Sequence, residues 1–322
     1  MSNPTLFDAL ETAKGLPFPQ LINALRDGFV AGCQAPVRHH HTMQRSGEAD
    51  ATLLLMPAWS NPQDRQQYLG VKLVTVVPGN MARDLPGLVS TYVLYDGITG
   101  EQLALMDGNT ITGRRTVATS ALAAQYLARE DASKLLVLGA GRVARLIPDA
   151  FKAVRPIQAV TVWDINRENA EQFAGALSAE GYEANVADNL EAAVRGADIV
   201  SAATLSTEPL IKGEWLSPGT HVDLIGSFRP NMRETDDAAI LRSAVYIDTD
   251  EALIEAGDIV QPVNAGVFNA ESIRGTLAQL AREEAQGRAH GDQITCFKAV
   301  GSALADLCAA RLAHNSLSAS PL

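Results

Sequence analysis

Cysteine is scarce in this 322-residue chain. Cys33, Cys296 and Cys308 are the whole set, too few and too scattered for a disulfide framework or a zinc motif. They read as buried apolar fillers in a reducing compartment. Aromatic residues make up only 5% of the chain, and Trp59, Trp163 and Trp215 stand alone, which gives no stacking ladder for nucleic acid. Basic charge is in deficit: 26 Lys and Arg against 37 Asp and Glu leave a net charge of −11. Such a surface repels phosphate backbones and anionic lipid, so neither nucleic acid nor a membrane is expected as a partner. Long apolar runs are missing as well, none approaching the roughly 18 residues of a membrane span. The opening residues MSNPTLFDALETAKGLPFP carry neither a basic n-region nor an apolar h-region, so a cytoplasmic location is expected. At 47% hydrophobic and 20% charged, the composition is that of a globular protein.

The pattern along the chain divides it in two. Within residues 1–115 an amphipathic helix is expected at 20–30, where Leu21, Ile22, Leu25 and Phe29 share a face. Strand-like runs follow at 52–59, 68–77 and 90–96, separated by stretches rich in Pro, Gly and Asn rather than by helices. That is an α+β arrangement. A helix rich in small residues spans 110–129. From 134 onward strands alternate with helices: strands at 134–138, 159–163, 184–187, 198–202, 221–225 and 245–248, with helices at 142–154 and 167–179. This rhythm predicts an α/β fold with a Rossmann-type doubly wound parallel sheet. The last helix, 299–313, is expected to return to the first domain, and the tail after His314 to be loose. The division reads as a domain of 1–115 with 303–322, and a dinucleotide-binding domain of 116–302.

Gly139, Ala140, Gly141, Arg142, Val143 and Ala144 fit G-x-G-x-x-A directly after a strand. Gly139 permits the tight turn, Gly141 lets a pyrophosphate approach the backbone, and a helix N-terminus beyond supplies N–H groups. Asp164 closes the next strand 20 residues after Ala144, where a carboxylate accepts bonds from a ribose diol. Asp164 disfavours a 2′-phosphate, whereas Asn166 and Arg167 just beyond it suit one, so the cofactor reads as NAD or NADP.

A second informative stretch is Met106-Asp107-Gly108-Asn109-Thr110-Ile111-Thr112-Gly113-Arg114-Arg115-Thr116. It sets two arginines and several hydroxyls at a helix start. An arginine there suits a bidentate grip on a carboxylate, and Thr116 suits a cofactor phosphate.

With the turn and the later run Ile225-Gly226-Ser227-Phe228-Arg229-Pro230-Asn231-Met232-Arg233-Glu234, this stretch resembles the ornithine cyclodeaminase/mu-crystallin family, over about 45–306. The resemblance implies a Rossmann domain joined to an α+β domain that binds substrate and forms a homodimer. It implies that Arg45 contacts a substrate carboxylate, that Lys72 is the catalytic-site lysine, and that Arg115 is a third cationic contact shared with the cofactor. It also sets Ser90 near the cofactor and Val300 against substrate and nicotinamide, with Thr204 and Ser227 among the cofactor contacts.

Cyclodeaminases of this family carry an acid/base aspartate in the loop where this chain has Phe228, and a phenyl ring transfers no proton. The loop resembles that of the mu-crystallin-type imine reductases. The expected activity is NAD(P)H-dependent reduction of a cyclic ketimine carboxylate, Δ1-pyrroline-2-carboxylate or Δ1-piperideine-2-carboxylate. The alternatives are ornithine cyclodeamination, an alanine-dehydrogenase-like reaction, and a non-catalytic cofactor-binding role.

No metal is expected. His39, His40 and His41 are consecutive, and neighbours on a strand point to opposite faces. The pairs Asp236-Asp237 and Glu283-Glu284 read as solvated.

Overall fold

The computed structural model describes residues 3–83 and 85–318. The chain forms two compact units, residues 1–115 with 302–322 and residues 116–301. The last four residues, 319–322, lie outside the described set.

The first unit is built on a six-stranded sheet. Its strands are β1 (Thr5–Phe7), β2 (His39–Met43), β3 (Ala51–Trp59), β4 (Tyr68–Val76), β5 (Leu88–Asp96) and β6 (Gln102–Asp107). Their order is β1-β6-β5-β4-β3-β2, antiparallel except where β1 joins β6. Alternation along β4 fixes its faces: Tyr68, Gly70, Lys72 and Val74 are buried while Leu73 points outward, 38% exposed. Helices α1 (Ala9–Lys14) and α2 (Phe18–Ala31) and a C-terminal helix (Ala303–Ser318) complete the unit. Phe18, Leu21, Ile22, Leu25 and Phe29 form the buried stripe of α2. Gly28 lets the C-terminal helix come close, because a Cβ there would meet Cys308 Sγ at 2.2 Å. The helix runs on past His314 to Ser318, where a loose tail was expected. Its Ala-rich composition sustains the extra turn.

Helix α3 (Gly108–Leu127) carries the chain from Arg115, the last residue of the first unit, to Thr116, the first of the second. The second unit holds β7 (Lys134–Leu138), α4 (Ile147–Lys152), β8 (Ala159–Trp163), α5 (Arg167–Ala179), β9 (Glu183–Val186), α6 (Leu190–Gly196), β10 (Ile199–Ala202), β11 (His221–Leu224), α7 (Asp237–Arg242), β12 (Ala244–Ile247), α8 (Ala252–Glu255), α9 (Gly257–Asn264), β13 (Gly275–Thr276), α10 (Leu277–Ala281) and β14 (Thr295–Lys298). All eight strands are parallel, in the order β13-β12-β14-β11-β10-β7-β8-β9. This is the doubly wound sheet expected from the sequence. Leu136, Leu138, Val200, Ala202, Val222, Leu224, Val245 and Ile247 form its core. Each contributes about 1.5–3 kcal/mol of transfer free energy, less for the alanine.

Two local differences from the sequence reading bear on the site. The helix expected at 142–154 is a 3-10 turn at Ala144–Leu146 followed by the six residues of α4. Pro148, which offers no N–H, restarts the helix near its first turn. The dipole behind the glycine turn is therefore short. Strand β14 was not anticipated, since a four-residue strand with Thr295 and Lys298 buried lacks an apolar signature. Among the described residues no helix is long and apolar enough to cross a membrane.

Candidate active site

In the first unit, the inner face of the sheet and the C-terminal helix enclose a charged cluster. Lys72 projects from β4 and is 2% exposed. Its Nζ lies 2.7 Å from Oδ2 of Asp306, and Arg115 Nε donates to Oδ1 of the same carboxylate at 2.8 Å. Asp306 is fully buried in the first turns of the C-terminal helix, and Arg115 is 5% exposed. Burial pulls the Lys72 ammonium down to about 8. Asp306 opposes that shift, while the Arg115 and Arg38 charges add to it. Burial also works to raise the Asp306 carboxyl, but Lys72 and Arg115 overcome it and hold the group below the ordinary carboxylate range.

The sheet register explains the presence of Arg38. Lys72 faces Met56, and His39 faces Leu55. Arg38 directly precedes His39, at the end of β2 nearest the Met56–Lys72 pair. Arg38 is half-buried. Arg45, assigned to the carboxylate from sequence, is not brought to this cluster. It lies two residues beyond the end of β2, is 38% exposed, and has its Nη1 3.6 Å from Glu48. Met43, at the end of β2, pairs with Ala51, five positions before Met56 and so about 16 Å along the strand.

The two consecutive arginines part company. While Arg115 turns to Asp306, Arg114 donates to the Leu16 carbonyl at 2.8 Å and lies 4.2 Å from the Phe18 ring centroid, so it fastens α3 to α2. Ser90 is buried on the inner face, and its hydroxyl donates to Asn109 Oδ1 at 2.9 Å. Asp306 was missed by sequence reasoning. The one available signal was a lone carboxylate within the small and apolar run 303–310 of the C-terminal helix.

The second unit carries the turn. Gly139 has φ +104°, and a Cβ on it would meet the Ala203 carbonyl at 2.9 Å. Both conditions require glycine. Gly141 is exposed, and a Cβ there would meet nothing within 4 Å. The turn therefore leaves open space on the side where a pyrophosphate would approach, with Arg142 exposed and Val143 half-buried next to it. Asp164 stands at the end of β8 as expected. Its Oδ2 accepts from Ala140 N–H and its Oδ1 from Asn166 N–H, both at 2.8 Å. Arg167 is paired with Glu171 at 2.8 Å and Asp188 at 2.7 Å, which competes with any 2′-phosphate. This donor set fits an adenine dinucleotide.

The remaining sequence-assigned residues fall as follows. Thr116 is half-buried on α3. Thr204 follows β10, and its N–H and Oγ1 both donate to Glu234 Oε1 at 2.8 Å. Ser227, assigned to the cofactor, is fully buried at φ +52°. Its hydroxyl donates to the Met232 carbonyl at 2.8 Å and accepts from Asp258 N–H at 3.1 Å. It shapes the loop and offers no surface to a ligand. Val300 is half-buried after β14, with its N–H and that of Gly301 both donating to Asp248 Oδ2, at 3.0 and 2.7 Å. Phe228 is 42% exposed in the loop after β11.

The supposed solvated pair Asp236-Asp237 has structural duties instead. Asp236 caps α7 and accepts from Gly213 N–H, and Asp237 pairs with Arg233. Glu283 and Glu284 are exposed. Strand β2 carries His39, His40 and His41, all exposed; among the described residues no cluster of His, Cys, Asp and Glu is suited to a metal ion.

Comparison with known proteins agrees with both units. The chain is 39% identical over 280 residues to the Δ1-pyrroline-2-carboxylate reductase of Paracoccus denitrificans, covering 84% of this chain and 87% of that one. It is 34% identical over 311 residues to the ketimine reductase mu-crystallin of Rattus norvegicus, covering 95% and 93%. The structure of the Thermococcus litoralis Δ1-pyrroline-2-carboxylate reductase, in complex with NADH and L-proline, superposes with a TM-score of 0.90 at 32% identity, covering 97% of each chain. The family model of the ornithine cyclodeaminase/mu-crystallin family matches residues 9–320, and the chain belongs to that family.

Proposed function

We propose that this protein is an NAD(P)H-dependent reductase of cyclic ketimine carboxylates, reducing Δ1-pyrroline-2-carboxylate to L-proline or its six-membered homologue to L-pipecolate. The observation that carries this reading is the buried cluster of Lys72, Arg115 and Asp306. Two cations share one carboxylate, and Arg38 adds a third positive field. The excess positive charge suits an anionic substrate.

Arg38 and Arg115 hold and orient the substrate carboxylate. When bound, the reduced nicotinamide supplies hydride to the imine carbon. Lys72, brought to about 8 by burial, holds a proton it can give up near neutral pH, and so supplies the imine nitrogen. Asp306 keeps Lys72 and Arg115 in place. Fixing the ring by its carboxylate converts a bimolecular encounter into an effectively intramolecular one. The turn at Gly139 and Gly141 holds the pyrophosphate, with Asp164 on the ribose, and Thr116, Thr204 and Val300 line the rest of the dinucleotide.

Phe228 supports reduction over cyclodeamination. The loop residues 226–233 contain no carboxylate, so no group there takes the proton that ammonia loss and ring closure require. The likeness to the reductases of Paracoccus denitrificans and Thermococcus litoralis points the same way.

The reading includes a homodimer. Leu73 of β4 and Val89 of β5, 38% and 50% exposed, lie on the sheet face opposite Lys72, and Val37 is 77% exposed. An apolar sheet face of this kind is suited to a second copy. It also includes a cytoplasmic location, in keeping with three free cysteines.

The test is nicotinamide absorbance with purified protein, Δ1-pyrroline-2-carboxylate and either NADH or NADPH, beside ornithine with NAD. Loss of reduced cofactor with the imine alone is expected. Proline and ammonia from ornithine, without imine reduction, would overturn the reading.

A further inference from the structure

The motif that ends in Glu234 leaves that glutamate without a role in the chemistry above, yet it is among the most buried charged residues of the second unit. Glu234, Asp258 and Lys298 are all fully buried. Lys298 Nζ donates to the Leu224 carbonyl at 3.2 Å and to that of Gly226, and lies 3.8 Å from Asp258 Oδ2. Asp258 Oδ1 accepts three hydrogen bonds, from Glu234 N–H and Thr235 N–H at 2.9 Å and from Thr235 Oγ1 at 3.0 Å. Glu234 Oε1 accepts two, from Thr204. Glu234 Oε2 has no partner, and Asp258 Oδ2 accepts no hydrogen bond.

Charge arithmetic in this dry setting is decisive. One ammonium with two ionised carboxylates leaves a buried net charge of −1, which is costly to desolvate. One proton on the carboxylates restores neutrality. Asp258 Oδ1 takes three donors and its Oδ2 lies 3.8 Å from the Lys298 ammonium, whereas Glu234 Oε2 has no partner. The proton therefore falls to Glu234, and the bare Oε2 is where it sits. Burial lifts the Glu234 carboxyl to about 7, opposed by Lys298 and by the Thr204 bonds and assisted by Asp258. Lys298 from β14 and Asp258 from the start of α9 are the charged groups facing it. Asp223 of β11 and Cys296 of β14 also feel the Lys298 charge.

The position of Glu234 connects this proton to the dinucleotide turn. A Cβ on Gly226 would meet Glu234 Oε1 at 2.3 Å and the Thr204 carbonyl at 2.4 Å. The segments after β10 and β11 thus close directly on the carboxyl. The first of them, through Ala203, abuts Gly139 of the turn. We propose that Glu234 is a positioning residue which carries a proton in the folded protein and, in that state, pins the segments following β10 and β11 against the dinucleotide turn.

This rests on the reading that the turn binds a dinucleotide, so the experiment has two arms. The first is the melting temperature of the protein without cofactor, from pH 5 to 8, for the wild type, Glu234→Gln and Glu234→Ala. The second is NADH binding by fluorescence titration over the same range. Gln keeps an acceptor for the two Thr204 donors but does not ionise. The wild type should lose stability relative to Glu234→Gln as pH rises through about 7, because the folded state then carries the uncompensated charge. Its NADH affinity should fall roughly tenfold between pH 6 and 8 while that of Glu234→Gln stays flat, a tenfold change corresponding to one unit of differential protonation. Glu234→Ala should bind at least about tenfold more weakly at every pH, with Thr204 left unanchored. Identical pH slopes in the wild type and Glu234→Gln, or Glu234→Gln as impaired as Glu234→Ala, would overturn the inference. A pH-dependent gap in melting temperature with no NADH binding at any pH would support the proton on Glu234 and overturn the dinucleotide reading instead.

Discussion

Lys72 and Asp306 stand 234 positions apart in the sequence and 2.7 Å apart in space, one on a central strand and the other on the C-terminal helix. The same carboxylate holds Arg115, so one buried group sets the position of both cations. Removing it takes the shared carboxylate away from two buried positive charges. Asp306→Ala should cost about 3–5 kcal/mol of stability, as breaking a buried pair does. It should also lower kcat/KM for the imine by at least about 100-fold, the range of a lost positioning and proton-transfer group. Denaturant melts together with steady-state kinetics check this. A stable variant with full kcat/KM would remove Asp306 from the site.

The depressed pKa of Lys72 sets a pH limb. Its folded value of about 8 lies below its ordinary 10.5. The unfolded chain therefore holds the proton more tightly, and from this group alone stability rises as pH goes from about 8 to 10.5. Activity moves the other way. Protonated Lys72 is the competent form, so kcat/KM should decline above about pH 8. Lys72→Arg, which stays charged, should lose activity yet move that limb upward. An unchanged limb in Lys72→Arg would assign it to the substrate imine.

Arg38 and Arg45 are separated by the same reasoning. Arg38 immediately precedes β2, whose His39 pairs with Leu55 beside the Lys72 partner Met56, and it contributes to the Lys72 electrostatics, whereas Arg45 pairs with Glu48 at an exposed turn. Arg38→Ala should raise KM for the imine carboxylate by about tenfold or more, the worth of a charge-assisted contact. Arg45→Ala should change it by less than about twofold, in line with surface ion pairs. Equal effects on KM would restore Arg45 to the site.

These residues mark the limits of what the sequence discloses. The glycine turn and the acid closing the next strand are local signals, set by the conformational freedom of Gly139 and by a fixed strand–turn–strand spacing, and they are legible. So is most of the parallel sheet, because its strands are largely short apolar runs alternating with helices, whereas β13 and β14 carry no such signal. Arg38 is not legible, since its relation to Lys72 depends on the pairing of three strands. Nothing in residues 38–45 alone says which arginine comes near Lys72. Asp306 depends on a chain return 191 positions after Arg115. Ser227 has the residue type of a cofactor contact, but its left-handed backbone turns the hydroxyl into the loop.

The orientation of Asp164 bears on cofactor choice. Its carboxylate lies at the end of β8 with Oδ2 on the turn's own N–H, and Arg167 is engaged by two carboxylates. A 2′-phosphate would meet the Asp164 carboxylate and an Arg167 already paired with two acids. NADH should be preferred to NADPH by about tenfold or more in kcat/KM. Asp164→Ser should narrow that ratio chiefly by weakening NADH. A wild-type preference for NADPH would contradict this.

The two glycines of the turn predict opposite outcomes for one substitution. Gly139→Ala puts a Cβ 2.9 Å from the Ala203 carbonyl on a backbone at φ +104°. Strain of that kind costs about 1–3 kcal/mol, so the melting temperature should drop and NADH binding should weaken with it. At Gly141 a Cβ meets nothing within 4 Å, so Gly141→Ala should leave the melting temperature almost unchanged. The new methyl nevertheless occupies the space through which the pyrophosphate reaches the backbone N–H groups, and NADH affinity should fall by about tenfold or more. Thermal melts and fluorescence titration on the same two preparations separate the effects. If Gly141→Ala binds NADH as tightly as the wild type, the pyrophosphate does not lie against Gly141, and the turn's second glycine serves the fold alone.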